Sequence, residues 1–321
     1  MPYSLTDKLV IGISSRALFD LEHENRLFDE QGMAAFCAYQ RAHEDEPLKP
    51  GTAFPLVKAL LGLNPLLPER RIEVVVISRN SPDTGLRAFN AIEAHGLDIT
   101  RAAFTGGAES LVGYLKAFEV DLFLSRNRRD VQQAIDHGFA AAQLYDPPSQ
   151  FQPPEGQIRI AFDGDAVLFS PESEHLYKTQ GLEAFAAHER AHRQRAMAEG
   201  PFAKLLIRLA ALQQEFRSRG APCPVRIAIV TARSSPAHAR VIHTLRDWRV
   251  DIDEAHFMGG ASKDSVLAAF GAQMFFDDQD AHVQPASVRV PSGIVPYAGG
   301  STDAQSRPCN DTSPPSPPPS P

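Results

Sequence analysis

The segment Ile158–Ser170 reads IRIAFDGDAVLFS, and the rest of the chain is organised around it. Its first five residues, Ile158 to Phe162, have the apolar, strand-forming character of a buried β-strand. Two aspartates follow, Asp163 and Asp165, separated by one glycine, and a second apolar run from Ala166 to Phe169 closes the stretch. Carboxylates that emerge where a strand leaves a sheet are costly to desolvate without a partner, so they point to a bound cation or a substrate. Taken in isolation, the stretch also reads as a plain turn carrying two solvated acids.

Strand and helix patterns alternate around this segment. Lys8 to Ile13 (KLVIGI), Arg71 to Ser78 (RIEVVVIS) and Asp121 to Ser125 (DLFLS) read as short apolar strands, and VQQAIDHGFAAAQL reads as a helix followed by another strand. Helical spacing covers Met33 to Arg41, Phe54 to Leu63 and Arg87 to His95, with EDEPLKPGT as a Pro/Gly-containing loop. This alternation predicts an α/β fold with a parallel sheet covered on both faces.

The second half repeats the first. An offset of 149 lays Ser14, Ser15, Arg16 and Ala17 over Asp163, Gly164, Asp165 and Ala166, and lays Gln31-Gly32, Phe36 and His43 over Gln180-Gly181, Phe185 and His192. At an offset of 153, VVVISRNS matches IAIVTARS and AAFTGGAES matches the stretch around Phe257, Gly259 and Gly260. At 152, DLFLSR matches QMFFDD. Four matches in one order predict a duplication, with halves at 1–150 and 151–300. Residues 301–321 are rich in Pro and Ser, with almost no apolar side chains, and are expected to be a disordered or polyproline tail.

Composition narrows the partners. With 321 residues and 43% hydrophobic content, the chain can bury one large or two medium cores. A formal charge of -7 argues against broad attraction to nucleic acid or an anionic membrane, and points to a small-molecule partner. Cys37, Cys223 and Cys309 are far apart and lack metal-ligand spacing, which suits a reducing compartment. No 18-residue apolar run and no leader pattern occurs, so a cytoplasmic location is expected.

Parallel, adjacent strands would bring four elements of the second half to one sheet edge. These are Asp163-Gly164-Asp165, Thr231 at the end of IAIVTAR, Lys263 beyond a Gly-Gly turn, and Asp277-Asp278 after MFF. Thr231 alone reads equally as a structural turn residue, and Lys263 alone as a surface lysine. As a set they supply what phosphoryl transfer from a monoester needs. Oxygen-only acids suit Mg²⁺, a carboxylate can attack phosphorus, a second acid can move the proton, and threonine and lysine can hold phosphate oxygens.

The order FDGDAVLF, VTAR, SK, FFDD resembles the four motifs of the haloacid dehalogenase superfamily of phosphohydrolases. AFDGDAVLFSPESE, ISSRALFDLEHEN, TGGAESLVGYLKAF and MFFDDQDAHV resemble, more closely, the cytosolic 5′-nucleotidase type I family, from Val10 to about Ile294. The resemblance implies two Rossmann-like halves, each with a helical cap inserted after its first strand, about 171–212 in the second half. It also implies a Mg²⁺-dependent hydrolase of nucleoside 5′-monophosphates, with adenylate favoured and ADP a candidate effector. Asp163 would be the nucleophile, Asp165 the general acid/base and a metal ligand through its carbonyl, Thr231 and Lys263 the phosphate-binding pair, and Asp277 and Asp278 metal carboxylates. One departure from the family pattern is Pro171 after Ser170.

At the equivalent positions the first half carries Ser14, Arg16, Ser78, Ser110, Ser125 and Arg126. Without carboxylates it is expected to be catalytically inactive. Arg16, Ser78, Arg79 and Asn80 are candidates for binding substrate or effector, or else remnants of a scaffold. HERAHRQR, His188 to Arg195, suits a phosphate or base but reads first as a solvated helix face. A phosphatase for another small phosphomonoester and a non-catalytic nucleotide-sensing protein are the competing readings, and homo-oligomerisation is left open.

Overall fold

The computed structural model describes residues 3–299, so the tail at 301–321 lies outside the described residues. The first half contributes β1 (Leu9–Ile13), β2 (Ile72–Ser78), β3 (Arg101–Phe104), β4 (Leu122–Ser125) and β5 (Ala140–Leu144). The second contributes β6 (Ile158–Phe162), β7 (Val225–Thr231), β8 (Glu254–Phe257), β9 (Met274–Asp277) and β10 (Ser292–Ile294). All ten form one sheet in the order β3-β2-β1-β4-β5-β10-β9-β6-β7-β8. Every neighbouring pair is parallel except β5 and β10, which meet antiparallel. The parallel sheets expected of the two halves are therefore joined edge to edge, which covers one exposed edge of each. Gly293 makes the junction close: a Cβ there would come within 3.0 Å of Leu144 and 3.1 Å of the Ala142 Cβ.

The strand order read outward from the junction is the same in both halves, and local details recur with it. The amide of Ser14 donates to the Leu124 carbonyl at 2.9 Å, and that of Asp163 to the Phe276 carbonyl at 2.8 Å. Helical segments after β1 (Glu22–Ala42) and β6 (Glu172–Ala191) each break at a glycine in the left-handed region, Gly32 at φ 81° and Gly181 at φ 82°. Registry aligns Ser125, Gln143, Ile294 and Asp277 across β4, β5, β10 and β9, so the strand ends of the two halves share a row.

The insertion expected at 171–212 divides in two. Glu172–Ala191 leaves most of its side chains exposed, whereas Ala203–Ser218 is a single helix that buries Leu205, Leu206, Leu209 and Phe216. The second helix belongs to the layer on the sheet because its apolar stripe continues past residue 212. Behind the acids, Phe162, Phe202 and Phe276 pack with ring centroids 4.9–6.3 Å apart and seal the strand ends from below. Gly200, in the link between the two helical segments, donates its amide to the Leu168 carbonyl at 2.8 Å and ties that link to the stretch after β6. A Cβ at Gly200 would lie 2.5 Å from the Phe169 carbonyl oxygen, so Gly200→Ala is expected to cost about 1–3 kcal/mol by overpacking. The urea midpoint of the variant tests this.

Candidate active site

The carboxyl ends of β6, β7 and β9 bring the predicted residues together. Asp163 follows the last residue of β6, Thr231 ends β7, and Asp277 ends β9 with Asp278 next in the chain. Lys263 caps the helix Asp264–Phe270, and the preceding Gly259-Gly260 turn, both residues at positive φ, folds that helix end back over the strands. Burial changes the reading of Lys263, since a lysine that is 2% exposed is no surface lysine. Its ammonium donates to Asp163 Oδ1 at 2.7 Å and to Asp277 Oδ2 at 2.6 Å. Thr231 is buried, and its hydroxyl accepts from the Arg233 amide at 3.3 Å.

Asp163, Asp277 and Asp278 offer carboxylate oxygens within 4.8 Å of one another. With all three acids ionised, the trio and the Lys263 ammonium would carry two net negative charges, which a divalent cation would neutralise. Among the described residues, the Asp278 Oδ1 is buried without a hydrogen-bond partner, and a bare oxygen in that position is what a hard cation would satisfy. The residues present therefore fit a divalent metal. Asp165 stands apart from the carboxylate trio: both of its oxygens accept from Arg233, at 2.7 and 2.6 Å.

Protonation follows from burial and neighbours. Burial pushes Asp163 up to about 7; Lys263 opposes the shift and Asp277 adds to it. Asp278 is pushed up to about 8, by burial and then by the charges of Asp163 and Asp277. Burial would also raise Asp277, but Lys263 and His282 outweigh it and hold its pKa down. A carboxyl with a raised folded pKa holds its proton better folded than unfolded, so stability is lost as pH rises between the two values. For Asp278 that window runs from the ordinary 3.8 to about 8. In metal-free protein, Asp278→Asn is expected to unfold at a higher temperature than the unsubstituted chain at pH 8, with the gap closing towards pH 5. A gap that does not change with pH would refute the assignment; thermal melts in chelator measure it.

Several residues of the site have no signal in the strand-end pattern. Arg233 is 4% exposed and joins Asp165 to Glu189, which it reaches at 2.6 Å. Glu189 is fully buried and also accepts from Arg240 at 2.8 Å and from Ser173 at 3.1 Å. His188–Arg195 is thus corrected as a wholly solvated face, because Glu189 turns inward to meet two arginines. Tyr297 donates to or accepts from both Glu174, at 2.6 Å, and Asp278. Its single proton serves one carboxyl, so the other must carry a proton of its own when both contacts hold. A cavity of about 440 Å³ opens beside Asp278 between the halves, with Arg128, Asp280 and Tyr297 in its lining.

The first-half candidates gather at the ends of β1 and β2, but their cations are already engaged. Arg16 bonds Glu22 at 2.7 and 2.9 Å and Asn25 at 2.9 Å. Arg79 bonds Asp130 at 2.8 and 2.5 Å. Ser78 shares a hydrogen bond with Ser15 at 3.0 Å, and the Asn80 amide donates to Ser78 at 3.3 Å.

The fold and site define an α/β protein with a cation-competent acid cluster at the carboxyl edge of a parallel sheet. A 5′-nucleotidase family model matches residues 1–302. Human cytosolic 5′-nucleotidase 1B is 37% identical over 287 residues, which are 87% of this chain and 47% of that protein. The chain belongs to the cytosolic 5′-nucleotidase type I family, and it spans about half the length of this curated relative. A solved chain of the Pnkp1/Rnl/Hen1 complex aligns over 91% of this chain and 97% of its own, at 12% identity and a TM-score of 0.31, too low to bear on the fold. No helix among the described residues is long and apolar enough to cross a membrane.

Proposed function

We infer that the protein hydrolyses nucleoside 5′-monophosphates, adenylate among the favoured ones, to nucleoside and phosphate. The observation that carries this reading is the convergence of Asp163, Asp277, Asp278 and Lys263 at one strand edge in a chain of this family. The two halves are read as a duplication of a haloacid dehalogenase-like unit, with 151–300 catalytic and 1–150 catalytically inactive. Glu172–Ala191 and Glu22–Ala42 are read as the caps.

Asp163 attacks phosphorus through a carboxylate oxygen, and the bond to the nucleoside oxygen breaks as Asp165 gives that oxygen a proton. Water then attacks the aspartyl phosphate, Asp165 takes back a proton, and Asp163 is regenerated with release of phosphate. Lys263 and Thr231 hold the non-bridging oxygens. Arg233 pairs with both oxygens of Asp165 and fixes its plane, and one of those two contacts opens when Asp165 carries the proton. Asp163, Asp277, Asp278 and the Asp165 carbonyl would hold Mg²⁺, which supplies charge neutralisation between the anionic phosphate and the attacking carboxylate. The cavity beside Asp278 offers room for the nucleoside.

A panel of nucleoside and sugar monophosphates, assayed for phosphate release with and without Mg²⁺, tests the reading. Hydrolysis of nucleoside monophosphates that disappears in chelator supports it. Preference for a sugar phosphate, or undiminished turnover in chelator, would overturn it.

A further inference from the structure

A second cavity, of about 320 Å³, lies in the first half over the ends of β1 and β2. Its wall is apolar, built from Phe28, Met33 and Phe36 on either side of Gly32, and its floor includes Ser15 and Asn80. Phe28 and Met33 are 41% and 58% exposed, unusual for large apolar side chains that line a cavity.

In the second half a guanidinium stands at the corresponding place. Phe28 and Phe36 meet edge-on at 6.0 Å, and their counterparts Tyr177 and Phe185 meet edge-on at 6.1 Å. Beneath Phe185 lies the Arg233 guanidinium, 5.4 Å from the ring centroid. The residue at the position of Arg233 in the first half is Asn80, whose shorter side chain leaves the space under Phe36 open. The charges have changed together: Glu189, which meets both Arg233 and Arg240, is replaced by neutral Gln40, and the carboxylate that balances Arg87 comes instead from Glu24 at 2.7 Å. The cations at the rim, Arg16 and Arg79, are each held by a carboxylate.

An aromatic and thioether wall over a hydroxyl and amide floor, with its neighbouring charges balanced, suits an uncharged planar ring with a hydrogen-bonding edge. We propose that the first half binds the heteroaromatic ring of a nucleoside in this cavity, with the ring against Phe28, Met33 and Phe36 and its polar edge towards Ser15 and Asn80. The choice of a nucleoside rests on the proposed function, which releases one; binding there needs no turnover.

Calorimetric titration of the full chain with adenosine, guanosine, cytidine and uridine in chelator tests the proposal. Uptake of at least one is expected. Asn80→Arg, which installs the residue that stands at this place in the second half, is expected to weaken it at least tenfold, and Asn80→Ser, which leaves the cavity open, less than threefold. Met33→Asp, at an exposed position that the fold tolerates, is expected to weaken it at least tenfold and serves if Asn80→Arg does not fold. No uptake of any nucleoside, or equal affinity in the unsubstituted chain and the folded filling variants, overturns the proposal. Nucleoside uptake with no monophosphate hydrolysis would sink the proposed function alone, and hydrolysis without uptake would sink this inference alone.

Discussion

Asp163→Asn is expected to fold as the unsubstituted chain does and to lower kcat for nucleoside monophosphate hydrolysis by at least about 10⁴-fold, the scale seen when a nucleophile is removed. The amide has the shape of the carboxylate, so the Phe162, Phe202 and Phe276 packing below it is undisturbed. Lys263 keeps a full ion pair with Asp277 at 2.6 Å, which limits the cost of losing its bond to Asp163. Removing one of three crowded carboxylates also relieves repulsion on Asp277 and Asp278. Phosphate release and a thermal melt on the same preparation separate chemistry from folding. A variant that retained a tenth of the activity would exclude Asp163 as the nucleophile.

The second large effect falls on Arg233. Arg233→Met removes one guanidinium from two buried pairs, with Asp165 and with Glu189, and breaking a buried pair costs about 3–5 kcal/mol. Stability and kcat are both expected to fall, and Arg233→Lys is expected to rescue neither fully, since an ammonium cannot hold both Asp165 oxygens in a plane. Adding Glu189→Gln should lower stability further, because it takes the remaining carboxylate from buried Arg240, and return none of the kcat. In the first half a glutamine at the equivalent position carries no such cost, because Glu24 supplies Arg87 with a carboxylate at 2.7 Å beside Gln40. A double-mutant cycle in urea, run beside steady-state kinetics, measures both quantities. If Arg233→Met lost stability but kept its kcat, Arg233 would be a structural residue and not one that positions Asp165.

The four strand-end motifs were legible because each lies within a few residues of a strand, and a strand's end is a local property. With Ser14 and Arg16 in place of Asp163 and Asp165 the same strand recurs without acids, so the strand does not require them; it runs into a short helix, Ser15–Leu18, in the first half and into a turn with Ala166 at φ 58° in the second. Arg233 was missed although it ends the VTAR motif, and Glu189 was hidden among the charges of HERAHRQR. Neither has a partner within its own stretch of sequence: Arg233 reaches Asp165 across 68 residues and Glu189 across 44. Pairing at that separation depends on where the helix Glu172–Ala191 returns to the sheet, which periodicity does not report.

The sequence alone determined the alternation of strands and helices, the repeated order in the two halves, and which acids stand at strand ends, because hydrophobic periodicity and residue order carry that information. Tertiary structure decided that β5 and β10 join the halves into one sheet, that Lys263 is buried between Asp163 and Asp277, and that the second half closes over Arg233 where the first leaves a cavity over Asn80. Those outcomes depend on packing between distant segments and on which charges find each other when water is excluded, and both exist only once the chain has folded.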